Sequence, residues 1–132
     1  PAQRHVEVLA HLLGKPRALF FPTGTMANQA ALWLLGEPGT EVYAHDDSHI
    51  VNWEIAGTAA LVGMQVRLVR GAPVMTADAL RAMLRPASPH APRATVVCAE
   101  NTHNGAGGMV TPLAELQRIR DVAAAAGMPV HL

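Results

Sequence analysis

Apolar side chains recur along the chain at helical and at strand spacings, and the spacing switches repeatedly. Over residues 2–13 they fall at Val6, Leu9, Ala10 and Leu13, one face of a helix, with Gly14 placed to stop it. Residues 17–21 form a short apolar run closed by Pro22 and predict a brief strand. After Thr23-Gly24-Thr25 turns the chain, helical periodicity covers residues 26–35 and Gly36 terminates it. Residues 41–45, 64–69 and 94–99 predict strands, the last of them buried. Between the first two, Ser48 is placed to cap a helix holding Ile50, Val51 and Trp53; Gly57 interrupts it, and residues 59–62 carry on to Gly63. Thr76 opens another helix, with Asp78 in its first turn and Leu80, Met83 and Leu84 on its buried face. Residues 87–92 read as a proline-rich surface connection. Thr111 as cap and Pro112 as first helical residue start a helix to Ala126, with Gly127 beyond it. Residues 128–132 read as a strand just beginning.

Strands alternating with helices through short connections predict an α/β fold with a mostly parallel sheet. Such sheets place ligands at the carboxyl ends of their strands. No internal repeat, low-complexity tract or linker is evident, so residues 1–132 read as one compact unit or part of one.

Composition narrows the function. The 132 residues suffice for one domain, and a hydrophobic content of 50% sets disorder aside. Ten basic residues balance ten acidic ones, which argues against nucleic acid or an anionic membrane surface as the partner. No apolar run approaches a membrane span and no targeting pattern opens the sequence, so a soluble, cytoplasmic protein is expected. A single cysteine, Cys98, leaves no internal disulfide framework or multi-cysteine zinc site and reads as a small core residue. His5 and His11 read as exposed bystanders on the first helix. Trp33, with Leu32 and Leu35, reads as core or subunit interface.

Three segments carry candidate chemistry. In the first, Phe20 to Asn28, a strand runs through Thr23-Gly24-Thr25 into a helix. Free N–H groups at a helix start, with the helix dipole, attract an anion. Gly24 would let backbone approach a phosphate and Thr25 could add a hydroxyl; an ordinary capped helix would look the same. The lysine and glycine spacings of nucleotide-binding loops are missing. The second segment, His45-Asp46-Asp47-Ser48-His49, follows a strand and has three readings. Its polar groups could cap a helix, His45, Asp47 and His49 could hold a metal such as zinc, or His49 could offer a flat ring for a planar cofactor. The third, Glu100-Asn101-Thr102-His103-Asn104, leaves a buried strand and ends in the glycine-rich stretch 105–108. It sets acid, imidazole and amide at one rim, with His103 the group best suited to trade protons near neutral pH.

Taken together and in order, Pro22-Thr23-Gly24-Thr25-Met26-Ala27-Asn28-Gln29, then Asp47-Ser48-His49-Ile50 with Glu54, then Glu100-Asn101-Thr102-His103-Asn104 with Gly107-Gly108 resemble the low-specificity L-threonine aldolases. These belong to the aldolase/β-eliminating lyase group of fold type I pyridoxal phosphate enzymes. Thr23 stands where the family usually has serine, and keeps the hydroxyl. The resemblance implies the three-layer, aspartate-aminotransferase-type large domain and pyridoxal 5′-phosphate as cofactor. By the same resemblance Thr23, Gly24 and Thr25 hold the phosphate and His49 stacks on the pyridine ring. His103 serves catalysis near the substrate's β-hydroxyl, and Glu54, Glu100 and Asn101 contact substrate or support the site. No metal is implied. The implied reaction cleaves L-threonine or L-allo-threonine, as 3-hydroxy amino acids, to glycine and an aldehyde, the cofactor ring serving as electron sink. A homotetramer is the family's common assembly.

The resemblance also implies what residues 1–132 lack. In the family an Asp-Gly-Ala-Arg run follows a segment like Val130-His131-Leu132, and the lysine that binds the cofactor lies further on. The one lysine here, Lys15, precedes Pro16 and lies outside the matched segments. A partial large domain is therefore expected, without the lysine region, the small domain or the extreme N-terminus, and inactive in isolation. A β-eliminating lyase acting on another amino acid, or a non-catalytic truncated product, are the competing readings.

Overall fold

The computed structural model describes residues 2–132. Its centre is a sheet of four strands in the order β2-β1-β3-β4, every pair parallel. These are β1 (Glu41–His45), β2 (Gln65–Val69), β3 (Ala94–Cys98) and β4 (Val130–His131). The helices are α1 (Ala2–Leu12), α2 (Gly24–Leu35), the single turn α3 (His49–Asn52), α4 (Ala77–Met83) and α5 (Leu113–Ala125), with a π-helical turn at Thr58–Val62.

Strand side chains alternate between faces, and the two cores follow that alternation. Val42 and Ala44 of β1, with Val96 and Cys98 of β3, pack against Leu32 of α2, Ile50 of α3 and Val62 of the π turn. Tyr43 and Val97 point the other way, into Leu80 of α4 and Ile119, Val122 and Ala123 of α5. Helix, sheet and helix form three layers, as expected. Burial rather than capping sets the position of α2. Fully buried Leu32 contributes roughly 1.5–3 kcal/mol, against about 1 kcal/mol for an N-cap such as Thr23.

The amino end of the sheet is closed by charge. Glu41, 1% exposed, accepts from Arg67 Nε at 2.8 Å and Nη2 at 2.6 Å, and from Arg85 Nη2 at 2.8 Å. Those guanidinium hydrogen bonds and charges hold the Glu41 carboxyl below its ordinary range.

Several expectations change. Residues 17–21 are not a strand: they join neither edge of the sheet, and Leu19 and Phe20 lie exposed. An apolar run without a period does not distinguish a strand from an extended surface segment. Helix α2 starts two residues earlier than its apolar pattern. Helix α3 ends at Asn52, leaving Trp53 as its exposed C-cap. Met83 and Leu84 are half-buried at the end of α4, where Leu84 is already extended. Pro112 is the N-cap of α5 rather than its first residue, and Thr111 is buried instead of capping. Trp33 is neither core nor shielded within this chain but exposed, as are His5 and His11. Cys98 is a core residue; burial first, then the charges of Glu54 and Glu100, pushes its thiol up to about 12, so it stays protonated. Among the described residues no helix is long and apolar enough to cross a membrane.

Candidate functional site

The three segments converge at the carboxyl edge of the sheet. Thr23 takes the N-cap of α2, its side chain accepting from Met26 N–H at 3.1 Å. Gly24 and Thr25 are then the first two helical residues, whose N–H groups have no intrahelical acceptor. A side chain at Gly24 would meet nothing within 4 Å, so the start of α2 is open.

One turn into α2, Asn28 and Gln29 reach the residues that follow β1. Asn28 Nδ2 donates to Glu54 Oε1 at 2.6 Å, and Gln29 Nε2 to Glu54 Oε2 at 2.5 Å. His49 Nδ1 lies 2.8 Å from the same Oε1. Glu54, 2% exposed, is thus a buried carboxylate met by two amides and an imidazole, as a buried charge requires. Directly after it, Ile55 and Ala56 adopt φ values of 53° and 55°, a left-handed bend that costs non-glycine residues about 1–2 kcal/mol each. The His49 side chain remains 38% exposed, with one ring atom fixed.

The loop after β3 supplies the other wall. Glu100 Oε2 accepts His49 N–H at 2.6 Å, and Oε1 accepts Asn104 N–H at 2.8 Å. Glu100 therefore caps α3. Ser48 stands at the N-cap position expected of it but makes no side-chain cap hydrogen bond, and its buried hydroxyl has no partner. Asn101 Oδ1 accepts Thr111 N–H at 3.0 Å, tying the loop to the entry of α5.

His103 is 1% exposed, held by a backbone bridge to Met109 and edge-on to the His45 ring at 5.0 Å. Ala106 N–H donates to His103 Nδ1 at 3.2 Å, so a neutral ring carries its proton on Nε2, a buried atom without a partner. His45, Asp47 and His49 do not gather around one point. His45 Nε2 bonds the Ala72 carbonyl at 2.7 Å, its Nδ1 accepts Asp47 N–H, and Asp47 Oδ1 accepts from Asn52. Among the described residues no group of three metal-ligating side chains forms.

A cleft of about 240 Å³ opens here, lined by Asn28, Ser48, His49, Glu100, Asn101 and His131, among others. Gly24, Thr25 and His103 are not among its lining residues. Lys15 lies elsewhere, in a cavity formed with α1 and residues 16–18. Reading the sequence places Asn28, Gln29 and His131 within matched segments but gives them no role in the site. Their signals are an amide pair one turn beyond a glycine helix start, and a histidine ending a strand.

A family model described as beta-eliminating lyase matches residues 2–132. The chain is 33% identical over 138 residues to "Probable low-specificity L-threonine aldolase 2" of Arabidopsis thaliana, covering 99% of this chain and 38% of that protein. It is 35% identical over 98 residues to the low specificity L-threonine aldolase of Escherichia coli strain K12, covering 73% of this chain and 29% of that one. Its fold matches that of the Leishmania major threonine aldolase with a TM-score of 0.82 at 24% identity, over 98% of this chain and 38% of that chain. The chain thus spans less than two-fifths of the length of these relatives.

Proposed function

Since the chain belongs to the beta-eliminating lyase family, we propose that it is part of the pyridoxal-phosphate-binding large domain of a carbon–carbon lyase that cleaves L-threonine or L-allo-threonine to glycine and an aldehyde. The observation that supports this most is the chain of contacts Asn28–Glu54–His49, which joins the open start of α2 to a partly exposed imidazole. A small molecule with an anion at one end and a flat ring at the other has its two kinds of partner at one edge of the sheet.

The residues present fit that cofactor. Gly24 and Thr25 would bind its phosphate through two free N–H groups, with Gly24 leaving space for close approach. His49 would lie against its ring, the imidazole held by Glu54. When bound, the cofactor supplies a sink for the electrons of a bond broken at the amino acid's Cα. His103, whose neutral ring carries its proton on the partnerless Nε2, lies behind the cleft wall and would reach the substrate hydroxyl as a donor only where its enclosing loop gives way; taking the proton itself requires the other tautomer. Glu100 and Asn101 would hold the rim, Glu100 through the His49 and Asn104 amides.

The reading extends to assembly and completeness. We take the functional protein to be a homo-oligomer of longer chains in the cytoplasm, with a small amino acid as substrate. Exposed Leu12, Leu13, Leu19, Phe20, Trp33 and Leu34 are apolar surface suited to such contacts. Lys15 is exposed and remote from the cleft, so residues 1–132 alone should not cleave threonine. Incubating the full-length protein and pyridoxal phosphate with L-threonine tests the reading. Glycine and acetaldehyde as products support it. Ammonia and a keto acid formed from an aromatic or sulfur-containing amino acid supplied in place of L-threonine would instead mark a β-eliminating lyase for another amino acid, the second reading. No product from either chemistry would favour a non-catalytic chain.

A further inference from the structure

The contacts around Glu54 do not end at His49. Asn28 donates to Glu54 through Nδ2 at 2.6 Å, and its Oδ1 lies 3.0 Å from His131 Nε2, 103 positions away in the sequence. Four side chains from α2, α3, the turn after it and β4 thus form one line, His131–Asn28–Glu54–His49.

Hydrogen-bond chemistry gives this line a direction. The Glu54 carboxylate can only accept, so the Asn28 group facing it is the NH2. The opposite end of the same amide, its carbonyl oxygen, can also only accept, so His131 must donate from Nε2. At the other end His49 must donate from Nδ1 to the carboxylate. Burial lowers the pKa of His131, which keeps its ring neutral near pH 7 with a single proton to place.

We propose that Glu54 sets the proton on both histidine rings of the cleft: directly for His49, held with its proton on Nδ1, and through Asn28 as a positioning residue for His131, held with its proton on Nε2. His49 Nε2 and His131 Nδ1 are then the ring atoms left to accept a hydrogen bond from whatever enters the cleft, which both histidines line. This deepens the proposed function, on which its catalytic meaning rests. The proton positions themselves do not depend on the cofactor.

The deciding experiment is two-dimensional ¹H–¹⁵N NMR of the histidine side chains in the full-length protein, free of cofactor. The wild type should give one tautomer for each ring, protonated on Nε2 for His131 and on Nδ1 for His49. Asn28→Ala should turn His131 into a mixture while His49 keeps its proton on Nδ1. Glu54→Met, similar in bulk but without an acceptor, should disturb His131 as well, although the two do not touch, because the Asn28 amide can then turn over. A loss of packing alone would not transmit a tautomer change through Asn28. Wild-type His131 protonated on Nδ1, or His131 unchanged in both folded variants, would overturn the proposal. Threonine cleavage that fails while the tautomers behave as stated counts against the proposed function alone.

Discussion

Glu100 caps the helix that begins with His49: its carboxylate accepts the His49 backbone N–H at 2.6 Å across 51 positions of sequence. The loop leaving β3 is thereby fastened to the residue that follows β1, and the candidate site becomes one unit. Glu100→Ala should cost about 1 kcal/mol of stability, within the range of lost N-caps. Ser48→Ala should be neutral or slightly stabilising, because it removes a buried hydroxyl that has no partner. Urea unfolding of both variants checks the order, which is the reverse of what position along the chain implies.

Glu41 predicts a dependence on acid. Its folded pKa lies below the ordinary 4.5, chiefly through the Arg67 hydrogen bond. A depressed carboxylate contributes stability that is present above its unfolded pKa and lost as pH falls through the folded one. The wild type should therefore exceed Glu41→Gln in stability at pH 7 by roughly 3 kcal/mol, the lower end for a broken buried ion pair, since Arg85 is partly exposed. That margin should shrink as pH drops below 4.5, which thermal melts across the acid range would measure.

Gly105 carries a steric prediction. A Cβ there would stand 2.6 Å from the Asp47 carbonyl oxygen and press on the Asp47 carboxyl as well. Backbone cannot yield as a flexible side chain does, so Gly105→Ala should destabilise by about 1–3 kcal/mol. It should also loosen the loop around His103, seen as faster amide exchange at Gly107 and Gly108.

The two histidines of the proposed site should differ in what they do. His49→Ala should weaken retention of pyridoxal phosphate by the full-length protein more than His103→Ala does. His49 lines the cleft, whereas His103 is enclosed by its own loop. Equilibrium dialysis of the cofactor against both variants measures the order.

What the residues disclose unaided follows from range. The parallel α/β sheet was legible because strand and helix spacings alternate through short connections, while its three layers came from the family resemblance; α2 was legible because Gly24 follows a hydroxyl and precedes a helical stripe. Ser48 misleads because local propensity selects the nearest hydroxyl, while the acceptor that wins arrives from β3. Residues 17–21 mislead because they are apolar without being paired. Asn28 and His131 could not be joined by any spacing rule, since their contact exists only once β4 has been laid beside β3.

One measurement bears on the whole account: the structure of the full-length protein with pyridoxal phosphate bound. The account predicts phosphate oxygens within hydrogen-bonding distance of the Gly24 and Thr25 amides and the pyridine ring face-to-face with the His49 imidazole. A phosphate seated elsewhere, for instance on Arg85 at the amino edge of the sheet, or a ring that leaves His49 in contact with solvent alone, would contradict it.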